Sequence, residues 1–148
     1  MSSPVVSSPA VAAPRSPNRG IGVLFGALFV ALGACGFFVF PLGSFFDTEG
    51  GELLWLGINP AHIFLWIISG AALVIAGTAG VGSARTINAW VGAPMLVLGV
   101  VGLFVRGTDL NLLAFTIPSA LLWIGAGALL LLTAVGADRP RGAVARRS

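Results

Sequence analysis

Charge is what this chain of 148 residues lacks most. Only 9% of it is Asp, Glu, Lys or Arg, against about 25% in an average soluble domain, which is too little to cover a water-facing surface. There is no tyrosine and no lysine, and the eight basic residues are all arginine. A single cysteine, Cys35, excludes a disulfide framework within the chain and a Cys-based zinc site. A single histidine, His62, excludes the usual two- or three-histidine metal sites in one copy, and no cofactor is expected. What is present instead is 57% hydrophobic residues, 21 glycines and a mean hydropathy of +1.00. That is the composition of a small integral membrane protein.

A helix needs about 20 mostly apolar residues to cross about 30 Å of hydrocarbon. Four stretches qualify: 21–40, stopped by Pro41 and Gly43, then 60–80, 87–105 and 113–135. Backbone hydrogen bonds must close within each segment in lipid, and these runs do not alternate as barrel strands would, so all four are expected to be helices. The fold class is therefore an all-α membrane protein with a transmembrane domain over 20–136. A Ser-, Pro- and Ala-rich tail (1–19) precedes it and an Arg-rich tail (137–148) follows; both are expected to be disordered.

The arginines are unevenly placed. Arg15, Arg19, Arg85, Arg139, Arg141, Arg146 and Arg147 fall on one side of a four-pass topology, and Asp47, Glu49, Glu52 and Asp109 on the other, with Arg106 alone among them. The positive-inside bias then predicts both termini in the cytoplasm of a multi-pass plasma (inner) membrane protein. The same arginines suit anionic lipids better than nucleic acid, since no folded basic motif accompanies them. Leu32-Gly33-Ala34-Cys35 has the form of a lipobox, but Phe37-Phe38-Val39-Phe40 continues the apolar run where a lipoprotein turns polar, so Cys35 is expected to be a buried small residue.

The chain also repeats itself. Gly26-x6-Gly33-x2-Gly36 recurs 66 residues on as Gly92-x6-Gly99-x2-Gly102, and Leu65-Trp66-Ile67-x-Ser69-Gly70-Ala71 recurs 57 residues on as Leu122-Trp123-Ile124-x-Ala126-Gly127-Ala128. Each half is then a helical hairpin, and the halves form a parallel repeat about an axis along the membrane normal. The glycines share one helical face, where two backbones can approach, within the bundle or against a partner. Gly22-x3-Gly26 adds a GxxxG pair.

Few residues could carry chemistry. Asn59-Pro60-Ala61-His62 reads as a capped helix start, with His62 one turn into the membrane. The 57-residue offset sets Thr116-Ile117-Pro118-Ser119 opposite it. Asn59, His62, Thr116 and Ser119 are thus the candidate ligand-binding residues, in a pocket between the hairpins. The other reading makes His62 an interfacial side chain, reaching loop carbonyls, headgroups or an acid of the first loop such as Glu52. The spacing of Asp47, Glu49 and Glu52 fits no EF-hand loop. Trp55 and Trp90 suit the two membrane interfaces, Trp66 and Trp123 suit packing, and Pro94 and Pro118 can kink their helices.

Taken together, the glycine-patterned first helix, Gly57-Ile58-Asn59-Pro60-x-His62 and the second hairpin repeating the first resemble the DUF4383 family of small four-helix membrane proteins, common in actinobacteria and without an assigned function. The resemblance spans roughly 20–135. It implies a further histidine one turn into helix 2 and a counterpart in helix 4, where this chain has Trp66 and Trp123, and an asparagine where it has Thr116. The arginine-only basic content fits a GC-rich coding sequence of that origin.

No nucleophile–base pair, phosphate loop or intramembrane acid pair is visible, so enzymatic chemistry is not expected. The favoured expectation is a non-enzymatic accessory or scaffold component that packs through its Gly-rich helix faces on another membrane protein or on itself as a homo-oligomer. The alternative is a small-molecule binder or transporter taking a lipid, a quinone or another apolar ligand between the hairpins. Membrane lipids are expected partners and nucleic acid is not.

Overall fold

The computed structural model describes residues 16–40 and 43–138. Four helices long and apolar enough to cross a membrane carry the fold: α1 (Pro17–Val39), α2 (Pro60–Ala79), α3 (Val81–Val105) and α4 (Ile117–Gly136). Two short strands, β1 (Gly51–Leu53) and β2 (Leu56–Ile58), form a hairpin between α1 and α2 that the hydropathy pattern does not announce. The hairpin turns on Leu54 and Trp55, both in the left-handed region at φ 51° and 69°. That is the backbone of a type I′ turn, which matches strand twist but normally calls for Asn-Gly.

The helix starts follow from their caps. Ser16 caps α1 by accepting from Arg19 N–H, with Pro17 in the first turn, and Asn59 caps α2 by accepting from His62 N–H, with Pro60 behind it. The helix is thus already running at 17–19, within the segment expected to be disordered; residues 1–15 and 139–148, with Pro41 and Leu42, lie outside the described residues. The largest departure is α3, which starts at Val81 rather than 87. Ser83, Arg85 and Thr86 are polar, so the apolar run ends there while the hydrogen-bonded ladder continues into the interface. At about 1.5 Å per residue, the 25 residues of α3 exceed the length that the hydrocarbon thickness requires. Only Gly80 separates α3 from α2, at φ 156°, a conformation L side chains rarely adopt. In turn α4 starts at Ile117 rather than 113, behind Thr116.

α1 packs chiefly on α2 and α3 chiefly on α4, with thinner contacts between the pairs. Glycine sets both approaches. A Cβ added at Gly26 would stand 2.8 Å from the Gly70 carbonyl oxygen, and one at Gly70 2.7 Å from that of Gly26. Across α3 and α4, Gly92 and Gly127 do the same at 2.9 and 2.7 Å. Gly33 faces Ile67 and Gly99 faces Ile124, Gly36 faces Ile63 and Gly102 the Phe115 ring. The glycine faces are thus closed within each helical pair, and a partner protein would have to use another surface. Gly22 differs, since it makes room for the Asn88 side chain of α3.

Candidate functional site

The first asparagine of the loop end joins three segments. Asn59, fully buried, accepts from His62 N–H at 2.9 Å and donates through Nδ2 to the carbonyls of Asp47 and Leu112, both at 2.9 Å. One carboxamide therefore ties the α1–α2 loop and the α3–α4 loop to the start of α2.

His62 lies beside it with no exposed surface. Trp123 Nε1 donates to His62 Nε2 at 2.7 Å, and His62 Nδ1 lies 2.8 Å from the Leu113 carbonyl oxygen. An indole N–H can only donate, so Nε2 must be the bare nitrogen and the proton sits on Nδ1, donated to Leu113. The imidazole is enclosed by Trp66, Trp123 and Phe115, with centroids at 4.5, 5.1 and 5.2 Å. The loop carbonyl was an expected partner. Contact with headgroups or with Glu52 was the other expectation, and the burial of His62 replaces it: the helix turns this residue inward, under the opposite loop.

Thr116 and Ser119 complete the group. Thr116 Oγ1 accepts from Gly57 N–H at 3.0 Å and reaches the Trp55 carbonyl at 3.2 Å, fastening the β-hairpin to α4. Ser119 Oγ accepts from Thr116 N–H at 2.9 Å, as in the returning half of a capping box. Asn59, His62, Thr116 and Ser119 do come together, as a clasp whose polar atoms answer one another or the backbone. Their side chains line none of the larger clefts described below.

Sequence reasoning missed a second polar cluster at the opposite end of the bundle. Asn18 and Asn88 are fully buried there. Asn88 Nδ2 donates to the Asn18 carbonyl at 2.9 Å, and Asn18 Nδ2 to the Thr133 carbonyl and to Asp138, both at 3.0 Å. Ser16 Oγ donates to the same Asp138 oxygen at 2.6 Å. This network joins α1, α3 and α4. The signal for it was the carboxamides themselves, since a polar side chain in an apolar helix must find a partner. Asn111 was also missed; it folds its loop by bonding both backbone groups of Phe115. Among the described residues no group of three His, Cys, Asp or Glu side chains could hold a metal ion. Cys35 is exposed on the outer face of an unbroken α1, rather than buried.

The DUF4383 family, a domain of unknown function, matches residues 19–136. The chain belongs to that family. No curated protein and no solved structure matches it. Within this DUF4383 domain, the two positions where the resemblance implies histidines have different uses. Trp123 gives its N–H to His62, while Trp66 is buried with its Nε1 unpartnered among the described residues.

Asp138 titrates outside the spans. The Ser16 hydroxyl above all holds its carboxyl below the usual carboxylate range; Asn18 and the charge of Arg85 act the same way, against the opposing effect of partial burial. A depressed acid stabilises the fold above its unfolded value, about 3.9, and that contribution is lost as pH falls through the lower folded value. Thermal stability of wild type should therefore fall below about pH 4, with a shallower acid limb in Asp138→Asn. Acid limbs of equal depth would remove Asp138 from the account.

Proposed function

We propose that this DUF4383 protein is a non-enzymatic multi-pass protein of the plasma membrane, with both termini cytoplasmic, that serves as an accessory or scaffold component. The observation that carries this reading is the internal satisfaction of the clasp. Both nitrogens of His62, the one side chain that would shuttle protons near neutrality, are hydrogen-bonded within the protein. General acid–base work needs a nitrogen that can reach a substrate. The outward faces are apolar instead, with Phe38, Ile68, Ile75, Phe104 and Leu132 more than half exposed. In lipid these present packing surfaces for another membrane protein or a second copy.

We also infer that the two hairpins are a parallel repeat. Support comes from contacts that recur at the same offsets: Gly26–Gly70 with Gly92–Gly127, and Arg19 Nε on the Gly77 carbonyl with Arg85 Nε on that of Ala134. The arginine asymmetry supports the orientation. A reporter fused after Ser148 should read cytoplasmic and one at Thr48 extracytoplasmic; the reverse at both would overturn the orientation. Native mass spectrometry after mild solubilisation should find a dimer or a stoichiometric complex, and a lone monomer throughout would count against the scaffold.

A second reading has its own observation. An apolar cleft of about 370 Å³ lies between α2, α3 and the α3–α4 loop, lined by Leu65, Leu98, Val101, Leu113 and Phe115 among others. It supports an apolar-ligand binder whose site adjoins the clasp rather than lying within it. If Leu98→Trp leaves retention of a bound quinone or lipid unchanged, that reading fails.

A further inference from the structure

A shallow amphipathic groove runs along α3 at the end of the bundle where α1 begins and α4 ends, and α4 borders its outer part. Its outer part, about 570 Å³, is lined by Gly82, Arg85, Thr86, Trp90 and Ala134. Its inner part, about 470 Å³, is lined by Ala89, Trp90, Ala93, Pro94 and Val97. Ala89 and Trp90 belong to both, so the two parts are continuous along one face of α3. From Ala89 to Val97 the apolar part runs for about 12 Å of helix, the reach of a length of acyl chain.

The polar part has a defined charge. Arg85 donates Nε to the Ala134 carbonyl at 2.7 Å, which fixes the guanidinium at the groove mouth and leaves its amino groups to meet an anion. Asp138 is the one acid of the sequence at this end; its carboxylate is bonded by Ser16 and Asn18 and also feels the charge of Arg85. Arg19 stands in the first turn of α1, and in the sequence five further arginines (Arg15, Arg139, Arg141, Arg146 and Arg147) adjoin α1 and α4. Trp90, 75% exposed, stands between the polar and apolar parts, where an indole sits at a membrane interface.

We propose that this groove is a binding site for an anionic phospholipid of the adjoining leaflet, its phosphate on Arg85 and Thr86 and one acyl chain along Ala89, Ala93, Pro94 and Val97. Basic recesses between transmembrane helices recognise anionic headgroups in this way, and the apolar strip beneath Trp90 distinguishes a lipid from a soluble phosphate. The site holds whether the protein is a scaffold or an apolar-ligand binder, since neither reading uses these residues.

The test uses the full-length protein, reconstituted in phosphatidylcholine vesicles with a minor share of phosphatidylglycerol, then extracted in mild detergent and weighed by native mass spectrometry. Wild type should retain phosphatidylglycerol over phosphatidylcholine. Arg85→Gln should lower that retention about fivefold, the worth of one arginine at a membrane surface. Ala93→Phe keeps the charge, fills an exposed position in the apolar strip and should lower retention as well. Arg19→Gln is the control, because Arg19 makes the matching bond to Gly77 without lining the groove. Unchanged retention in Ala93→Phe, or an equal loss in Arg19→Gln, would overturn the site. So would displacement of the lipid by glycerol phosphate, which would reduce it to a headgroup contact. Brominated phosphatidylglycerol should quench a fluorescence component that Trp90→Phe removes, a readout that does not depend on Arg85→Gln folding.

Discussion

Replacing Gly99 by leucine will destabilise the protein by about 1–3 kcal/mol or more in detergent, and replacing Gly125 by leucine will not. A Cβ at Gly99 would stand 2.8 Å from Ile124 N and 2.9 Å from the Ala120 carbonyl oxygen, both backbone atoms of α4. Backbone held in a helical ladder cannot step aside, so the helices must part along their whole contact. Gly125 meets nothing within 4 Å, and a side chain there points into lipid. Gly33→Leu belongs between the two. Its nearest neighbour is Ile67 Cγ1 at 2.5 Å, a side-chain atom that can rotate, and the backbone is further off at 3.2 Å. Thermal unfolding of the three variants should give that order, and equal stability of Gly99→Leu and wild type would mean that α3 and α4 do not meet here.

The second large effect separates two tryptophans that look equivalent. Trp123→Phe removes the only donor to His62 Nε2 among the described residues, and that acceptor is fully buried; leaving such a group unpaired costs about 1–3 kcal/mol. Trp66→Phe removes a buried indole N–H that has no partner among the described residues. Both changes shrink the ring by the same atoms, so packing losses largely cancel between them. Trp123→Phe should therefore be less stable than Trp66→Phe by about that hydrogen bond, measured as the difference in unfolding free energy. Equal losses would show that His62 does not depend on the indole.

Much of this arrangement was legible in the residues. Apolar length alone marks the four spans, because hydrocarbon leaves the backbone no other choice. The 57-residue offset groups Asn59 with Thr116 and His62 with Ser119, since equivalent helix starts must lie at the same end. What escaped is governed by direction rather than composition. Hydropathy cannot tell that His62 turns inward, because a residue one turn below a cap can face either way. It also closes α3 at Ile87, where polarity begins, although Gly82–Thr86 remain helical. The β-hairpin escaped because its turn rests on Leu54 and Trp55, neither of them a residue that favours positive φ. The bond between Asn18 and Asn88 spans 70 positions and has no local signature.

The clasp also sets an order of events during synthesis. Asn59 and His62 are made early, yet Leu112, Leu113 and Trp123, which answer them, belong to the second hairpin. At about 5–20 residues per second, the ribosome needs roughly 3–12 s to travel from His62 to Trp123. Until Leu113 and then Trp123 are made, His62 lacks the partners that the finished fold gives its two nitrogens. A chain truncated after α3 would lack Leu112, Leu113 and Trp123, and would leave Asn59 and His62 without the partners that the second hairpin supplies.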